Sequence, residues 1–272
     1  MTPRPSRRPA RLFATALAAG TLLTTGACSD GDGGDTGASD VAASPVAEQT
    51  GTASPDTPLT AQGAQTALVT EGDLEDDWNQ VKDAATWRDS LLIGKVDTAD
   101  FLTGKAQAAD CQRLLDSLYD DDLLGKPSGA SALTGFQQGD ARLLYQVAAY
   151  SGDDLDDSWS WLKSLPTECD QFTATGDGGE RTVQVVTASL PKEGDARQGL
   201  TVTVKGTSDG SPVTLTLDVA AVRVGDDAIT VTNGGLGGAD HDSTETAVQQ
   251  GTQRLKDVLA GKTPASEPSE FD

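Results

Sequence analysis

Histidine is almost missing from this 272-residue chain, with His241 alone, and cysteine occurs only three times. A metal centre built on a histidine cluster is therefore excluded, and none is expected. His241 lies in the loop Gly237-Gly238-Ala239-Asp240-His241-Asp242, where a lone histidine between aspartates is expected to be a solvent residue. Basic residues are also scarce: 20 Lys and Arg stand against 42 Asp and Glu, a net charge of −22. That balance argues against nucleic acid, anionic lipid headgroups and polyanionic wall polymers as partners. No glycine-rich phosphate loop follows a strand, so nucleotide binding has no support and no cofactor is expected. Gly206-Thr207-Ser208-Asp209-Gly210 matches the spacing of a serine-hydrolase elbow, but that motif needs a strand-to-helix turn. Here Ser211-Pro212 and another strand follow, which makes the motif a hairpin loop. The acidic groups Glu75-Asp76-Asp77, Asp120-Asp121-Asp122, Asp153-Asp154 and Asp156-Asp157 fall in turns and helix starts, where solvated or dipole-stabilising carboxylates belong. Asp30-Gly31-Asp32-Gly33-Gly34-Asp35 fails as a calcium loop, because positions 6 and 12 would be Asp35 and Val41 rather than Gly and Glu. No catalytic residue is assigned.

What is present begins with an export signal. Arg4, Arg7, Arg8 and Arg11 precede an uncharged, mostly apolar stretch from Leu12 to Leu23, and small residues follow. Charge, apolar stretch and small residues make a secretory signal over residues 1–27. The stretch is shorter than the ~20 apolar residues that span a bilayer. Thr25-Gly26-Ala27-Cys28 resembles a lipobox, whose cysteine is lipidated and becomes the new N-terminus, although Thr25 stands where Leu, Val or Ile is usual. The resemblance implies a lipid anchor on Cys28, a membrane-tethered chain and an extracytoplasmic location. Arg7-Arg8 leaves both twin-arginine and general secretion open, since Ala10 replaces the bulky residue of the twin-arginine pattern.

From Cys28 to Pro58 the chain is Gly, Ser, Asp, Thr, Ala and Pro with almost no large apolar residue. Such a segment cannot bury enough surface to offset its ordering entropy and is expected to be a disordered spacer. Removing the signal arginines leaves 16 basic residues against the same 42 acidic ones, a net charge of −26. Cys111 and Cys169 remain, neither in a CxxC pair. In an oxidising exported compartment they are expected to form one disulfide.

Residues 59–262 suffice for one domain with a real core. The spacing predicts helices over Thr60–Thr70, Ala106–Tyr119, Asp153–Leu165 (ended by Pro166) and Ser243–Ala260, the last with Asp242 and Glu245 as a capping box. Val248, Thr252, Leu255 and Leu259 form its buried stripe. Strands are expected over Ala130–Gln137, Arg142–Tyr150, Thr182–Leu190, Leu200–Lys205, Pro212–Val224 and Ala228–Thr232. Arg142–Tyr150 is apolar on both faces and should be central. Strands so close in sequence must pair antiparallel. The fold class is therefore α+β: an antiparallel sheet with helices packed against it and one disulfide. Residues 263–272 read as a disordered acidic tail. Among the tryptophans, Trp159 belongs to a helix core stripe. Trp161, two positions on, points elsewhere; it either packs in the core or lines a groove, and is the candidate ligand-binding aromatic.

The order of elements resembles the extracellular sensor domain of mycobacterial serine/threonine kinases and the actinobacterial lipoproteins that share it. The residues concerned are Leu68-Val69-Thr70, Gly72-Asp73-Leu74 and Trp78; Asp110-Cys111 with Leu114-Leu115; Pro166-Thr167-Glu168-Cys169 with Phe172; and Val222-Arg223-Val224-Gly225-Asp226 before the last helix. The resemblance covers roughly residues 59–259. It implies a sheet with a cleft and a non-enzymatic sensing or ligand-binding domain, whose ligand is unknown. The acidic surface supports a second expectation, a module that binds another envelope protein.

Overall fold

The structure is a computed structural model that describes residues 58–74 and 78–265. The signal, Cys28, the spacer to residue 57, the acidic turn 75–77 and the tail from 266 lie outside the described residues.

Two hairpin systems build the sheet. Strand β1 (Asn79–Val81) pairs with β5 (Ser131–Gln138), which turns back into β6 (Ala141–Ala149). The chain then leaves along helix α4 (Gly152–Glu168) and returns as a meander: β7 (Gln171–Gly176), β8 (Gly179–Ala188), β9 (Ala196–Ser208), β10 (Ser211–Val224) and β11 (Asp227–Gly235). Strand β11 closes the sheet by pairing antiparallel with β6, setting Ile229 beside Val147. With β4 (Lys105–Ala106) on β7, the order is β1-β5-β6-β11-β10-β9-β8-β7-β4, antiparallel throughout. A separate two-stranded hairpin joins β2 (Leu92–Ile93) to β3 (Val96–Asp97). Several meander turns are two-residue Asp-Gly or Gly-Asp links. At Asp209-Gly210 φ is +49° and +75°, the left-handed pair that matches strand twist. The serine-hydrolase spacing thus falls on a hairpin turn, as read from the sequence.

Helices cover both faces. Helices α2 (Thr98–Leu102), α3 (Ala109–Ser117) and α4 pack on one face, and α1 (Ala61–Thr66) and α5 (His241–Leu259) on the other. Strand β6 explains why two layers of helix are needed. Leu143, Tyr145 and Val147 join the α1/α5 core, while Leu144 and Ala148 join the α3/α4 core. Its place between β5 and β11 is the central one its apolar faces require. The α5 stripe Val248, Thr252, Leu255 and Leu259 is buried as expected, each apolar side chain contributing about 2 kcal/mol. Cys111 of α3 and Cys169, the C-cap of α4, form the disulfide.

Several boundaries differ from the sequence reading. Strand β7 was not expected; Gln171–Gly176 carries only Phe172 and Ala174 as apolar signals. Pro166 does not end α4. It lies in the last turn, where only one backbone hydrogen bond is forfeited, and Cys169 N still donates to the Leu165 carbonyl (2.8 Å). Strand β9 extends well beyond Leu200–Lys205, because long neighbours pair with it on both sides. Pro264, placed in the tail by composition, is buried.

Candidate functional site

Trp161 is buried, at 7% exposure, between two helices. Its Nε1 donates to the Asp110 carbonyl of α3 (3.3 Å), and the Arg113 guanidinium lies 3.9 Å from its ring centre. Arg113 in turn donates to Ser158 Oγ (3.0 Å), and burial holds its pKa below the usual arginine value. The side chain expected to serve as core or groove aromatic therefore joins α3 to α4, one turn from the disulfide at Cys111. Trp159 is buried in the same layer, and Trp78 donates to Ser243 Oγ (3.3 Å) on the opposite face.

His241 departs furthest from expectation. It is the first residue of α5 rather than a free loop residue, and its Nδ1 lies 2.6 Å from Asp218 Oδ2. Asp218 is buried at 4% exposure, and its other oxygen accepts from Thr201 Oγ1 on β9 (2.8 Å). His241 Nε2 faces Glu245 Oε1 at 3.5 Å, an ion-pair distance. The hydrogen bond to Asp218 raises the His241 pKa most; burial opposes it, and the charges of Asp218, Glu245 and Asp242 add to the rise. A carboxylate at each ring nitrogen makes a charge-paired clamp that favours the protonated imidazole. Neither nitrogen is presented to a substrate as a general base.

The sheet pattern dictates this position. On β10 the row facing α5 runs Val222, Ala220, Asp218, Thr216, Thr214. The first two pack under α5, and the last two lie in partly or fully exposed sheet. Asp218 marks where the apolar cover stops, and α5 begins above it. Asp240 caps the helix, accepting from Asp242 N (3.1 Å) and Ser243 Oγ (3.0 Å). The expected capping box of Asp242 and Glu245 is thus corrected: pairing with Asp218 draws His241 into the first turn, the cap moves back to Asp240, and Glu245 is turned to the histidine. Asn233 of β11 is fully buried and donates to the Asp240 carbonyl (2.8 Å) and Thr244 Oγ1 (3.0 Å).

A cleft of 380 Å³ opens beside the clamp, lined by Ser189, Thr201, Thr216, Asp218, Ala239 and His241 among others. A larger cleft of 520 Å³ lies at the other end of α5, with Arg254 in its wall. That charge is already met, by Asp73 Oδ2 at 3.2 Å and the Thr66 carbonyl at 3.1 Å. The charges of the smaller cleft are met as well, but its wall also carries the half-buried Thr201 and Thr216 and the partly exposed ring of His241, all tied to the sheet beneath, and it is the candidate taken further. Sequence reasoning missed Asp218. The available signal was a charged residue in a strand row that turns apolar two residues on.

The acidic groups among the described residues behave as structure. Ser151 caps α4 and exchanges hydrogen bonds with Asp154, and Asp156 pairs with Arg223. Burial first, then the neighbouring carboxylates, raises the pKa of Asp122. Among the described residues no group of three His, Cys, Asp or Glu is arranged to hold a metal ion. No helix among them is long and apolar enough to cross a membrane.

No family model matches the chain, and no curated protein matches it in sequence. In structure it is similar to the extracellular domain of PknH from Mycobacterium tuberculosis. That likeness has 11% identity and a TM-score of 0.45, and covers 74% of this chain and 98% of that one.

Proposed function

We propose that the chain is an extracytoplasmic lipoprotein, tethered through lipid on Cys28, whose domain binds a small ligand without catalysis in the cleft beside His241 and Asp218. The observation that carries the reading is the clamp itself. A buried carboxylate, held by Thr201 and His241 at the margin of the helix-covered sheet, puts rigid polar groups into a cleft. Pre-formed clefts with a few fixed polar groups are where small ligands are held. The disulfide supports an oxidising, exported compartment.

His241 is the only histidine, so its imidazole resonances identify themselves in a proton NMR spectrum. A ligand in this cleft is expected to shift them and to raise the melting temperature, and Asp218→Asn should abolish both responses. If wall fragments, lipids and divalent ions all leave resonances and melting unchanged, the ligand-binding reading fails. The tether is tested in the same preparation: Cys28→Ser is expected to move the protein from the membrane to the soluble fraction. The mature charge of −26 favours a second reading, an envelope interaction module. A basic protein cross-linked repeatedly in membranes would support it.

A further inference from the structure

A third cleft lies on the other face of the sheet, where α2 meets the turns of the meander. Its volume is 370 Å³, and Arg181 of β8 lines it. Arg181 shares its strand row with Val183 and Val185, both core residues, and is itself 2% exposed. A guanidinium buried so deeply ordinarily has a carboxylate partner, because an uncompensated buried charge is costly. Among the described residues Arg181 forms no ion pair. Nη1 and Nη2 donate to the Thr103 and Asp100 carbonyls at 3.3 and 3.4 Å, both long, and Nε has no partner. The group lies 5.1 Å from the Phe101 ring centre.

The chain is pared back around this group. A Cβ on Gly178 would come within 2.9 Å of Nη2, and one on Gly206 within 2.9 Å of the Arg181 side chain. The rim carries charges of the opposite sign: Asp97, Asp100, Asp177 and Asp209, with Lys95 as one further cation. These carboxylates would repel a simple anion such as sulfate and would hold an ammonium. Leu92, 62% exposed, stands on the same rim and offers apolar surface.

We propose that this cleft is a binding site for a small zwitterion, an α-amino acid or dipeptide with an apolar side chain. The ligand carboxylate meets Arg181, its ammonium meets Asp177 and Asp209 on the two hairpin turns, and its side chain lies on Leu92. The site is separate from the cleft beside His241 and does not depend on it.

Calorimetric titration with leucine, leucinamide, N-acetyl-leucine and glycine tests the assignment. Leucine is expected to bind. Leucinamide, without the carboxylate, and N-acetyl-leucine, without the ammonium, should each bind at least roughly tenfold more weakly, and glycine should also bind more weakly. Arg181→Gln should remove leucine binding. If that variant does not fold, the double variant Asp177→Asn, Asp209→Asn decides. Both residues are exposed turn residues, and asparagine tolerates the positive φ of Asp209. The double variant is expected to weaken leucine roughly tenfold while the melting curve is unchanged. Absence of leucine binding up to about 10 mM, equal binding of leucinamide, or a double variant that binds as well as the parent overturns the proposal. The His241 resonances should stay in place throughout, so this result and that for the α5 cleft are read independently.

Discussion

Asp227 opens β11 with its carboxyl buried, and burial, helped by the charge of Asp226, raises its pKa to about 6. The unfolded chain ionises this group near 3.8, so between those values the folded state holds the extra proton. Stability from this residue is fully present below pH 3.8 and is lost as pH rises to 6. Asp227→Asn should remove that slope and stabilise the protein at neutral pH by about 1 kcal/mol, with solvent screening taken into account. Melting temperatures of the two proteins across the acidic range check this, and an unchanged slope would refute it. His241 acts in a different window. Its folded pKa lies above the ordinary 6.5, so the clamp to Asp218 is intact below that value and is lost as pH rises through the elevated one. Neither effect was readable in the chain. Asp218 and His241 are 23 positions apart, and only the register of β10 beneath α5 brings them together.

Helix α5 shows what sequence periodicity carries and what it leaves out. The stripe from Val248 to Leu259 was legible because burial repeats every three or four residues on one face. So was β6, whose alternation assigned Leu143 and Leu144 to opposite cores. Gly251 was not legible. It sits inside α5, where glycine costs about 1 kcal/mol relative to alanine. The structure supplies the reason: a Cβ there would overlap the Tyr145 ring and hydroxyl. Alanine at this position should therefore destabilise despite its helix propensity, by roughly 2 kcal/mol after overpacking is set against that gain. Chemical denaturation measures it. Tyr145→Phe, which removes the overlapping oxygen, should recover part of the loss in the double variant, and a strictly additive result would show the contact is not the cause. The same distinction explains β7 and the end of α4. A six-residue strand with two apolar residues, and a proline in a last helical turn, are decided by neighbours rather than local pattern.

The domain formed by the described residues is tied together at one covalent point. Helix α3 precedes the β5–β6 hairpin and α4 follows it; the meander then returns to β6. The Cys111–Cys169 bond joins these two helices across 58 positions, enclosing the hairpin and the crossover in one loop. Loop-closure entropy for a loop of that length gives about 4 kcal/mol, against a usual domain stability of about 5–15 kcal/mol. Replacing both cysteines by alanine should therefore lower the melting temperature by roughly 10 °C for a domain of this size. Added reductant should behave differently. Both sulfurs are buried, at 1% and 0% exposure, so a thiol reagent reaches them only when the α3/α4 layer opens. The folded protein should keep its melting curve for a time in dithiothreitol, then shift to that of the double variant at a rate that rises with added urea. An immediate shift without urea would mean that this layer opens independently of the sheet. A slow, urea-dependent shift would mean that it opens only with the rest of the domain. In either case the fold has its full stability only where the bond can form, which makes an oxidising compartment part of what specifies the native state.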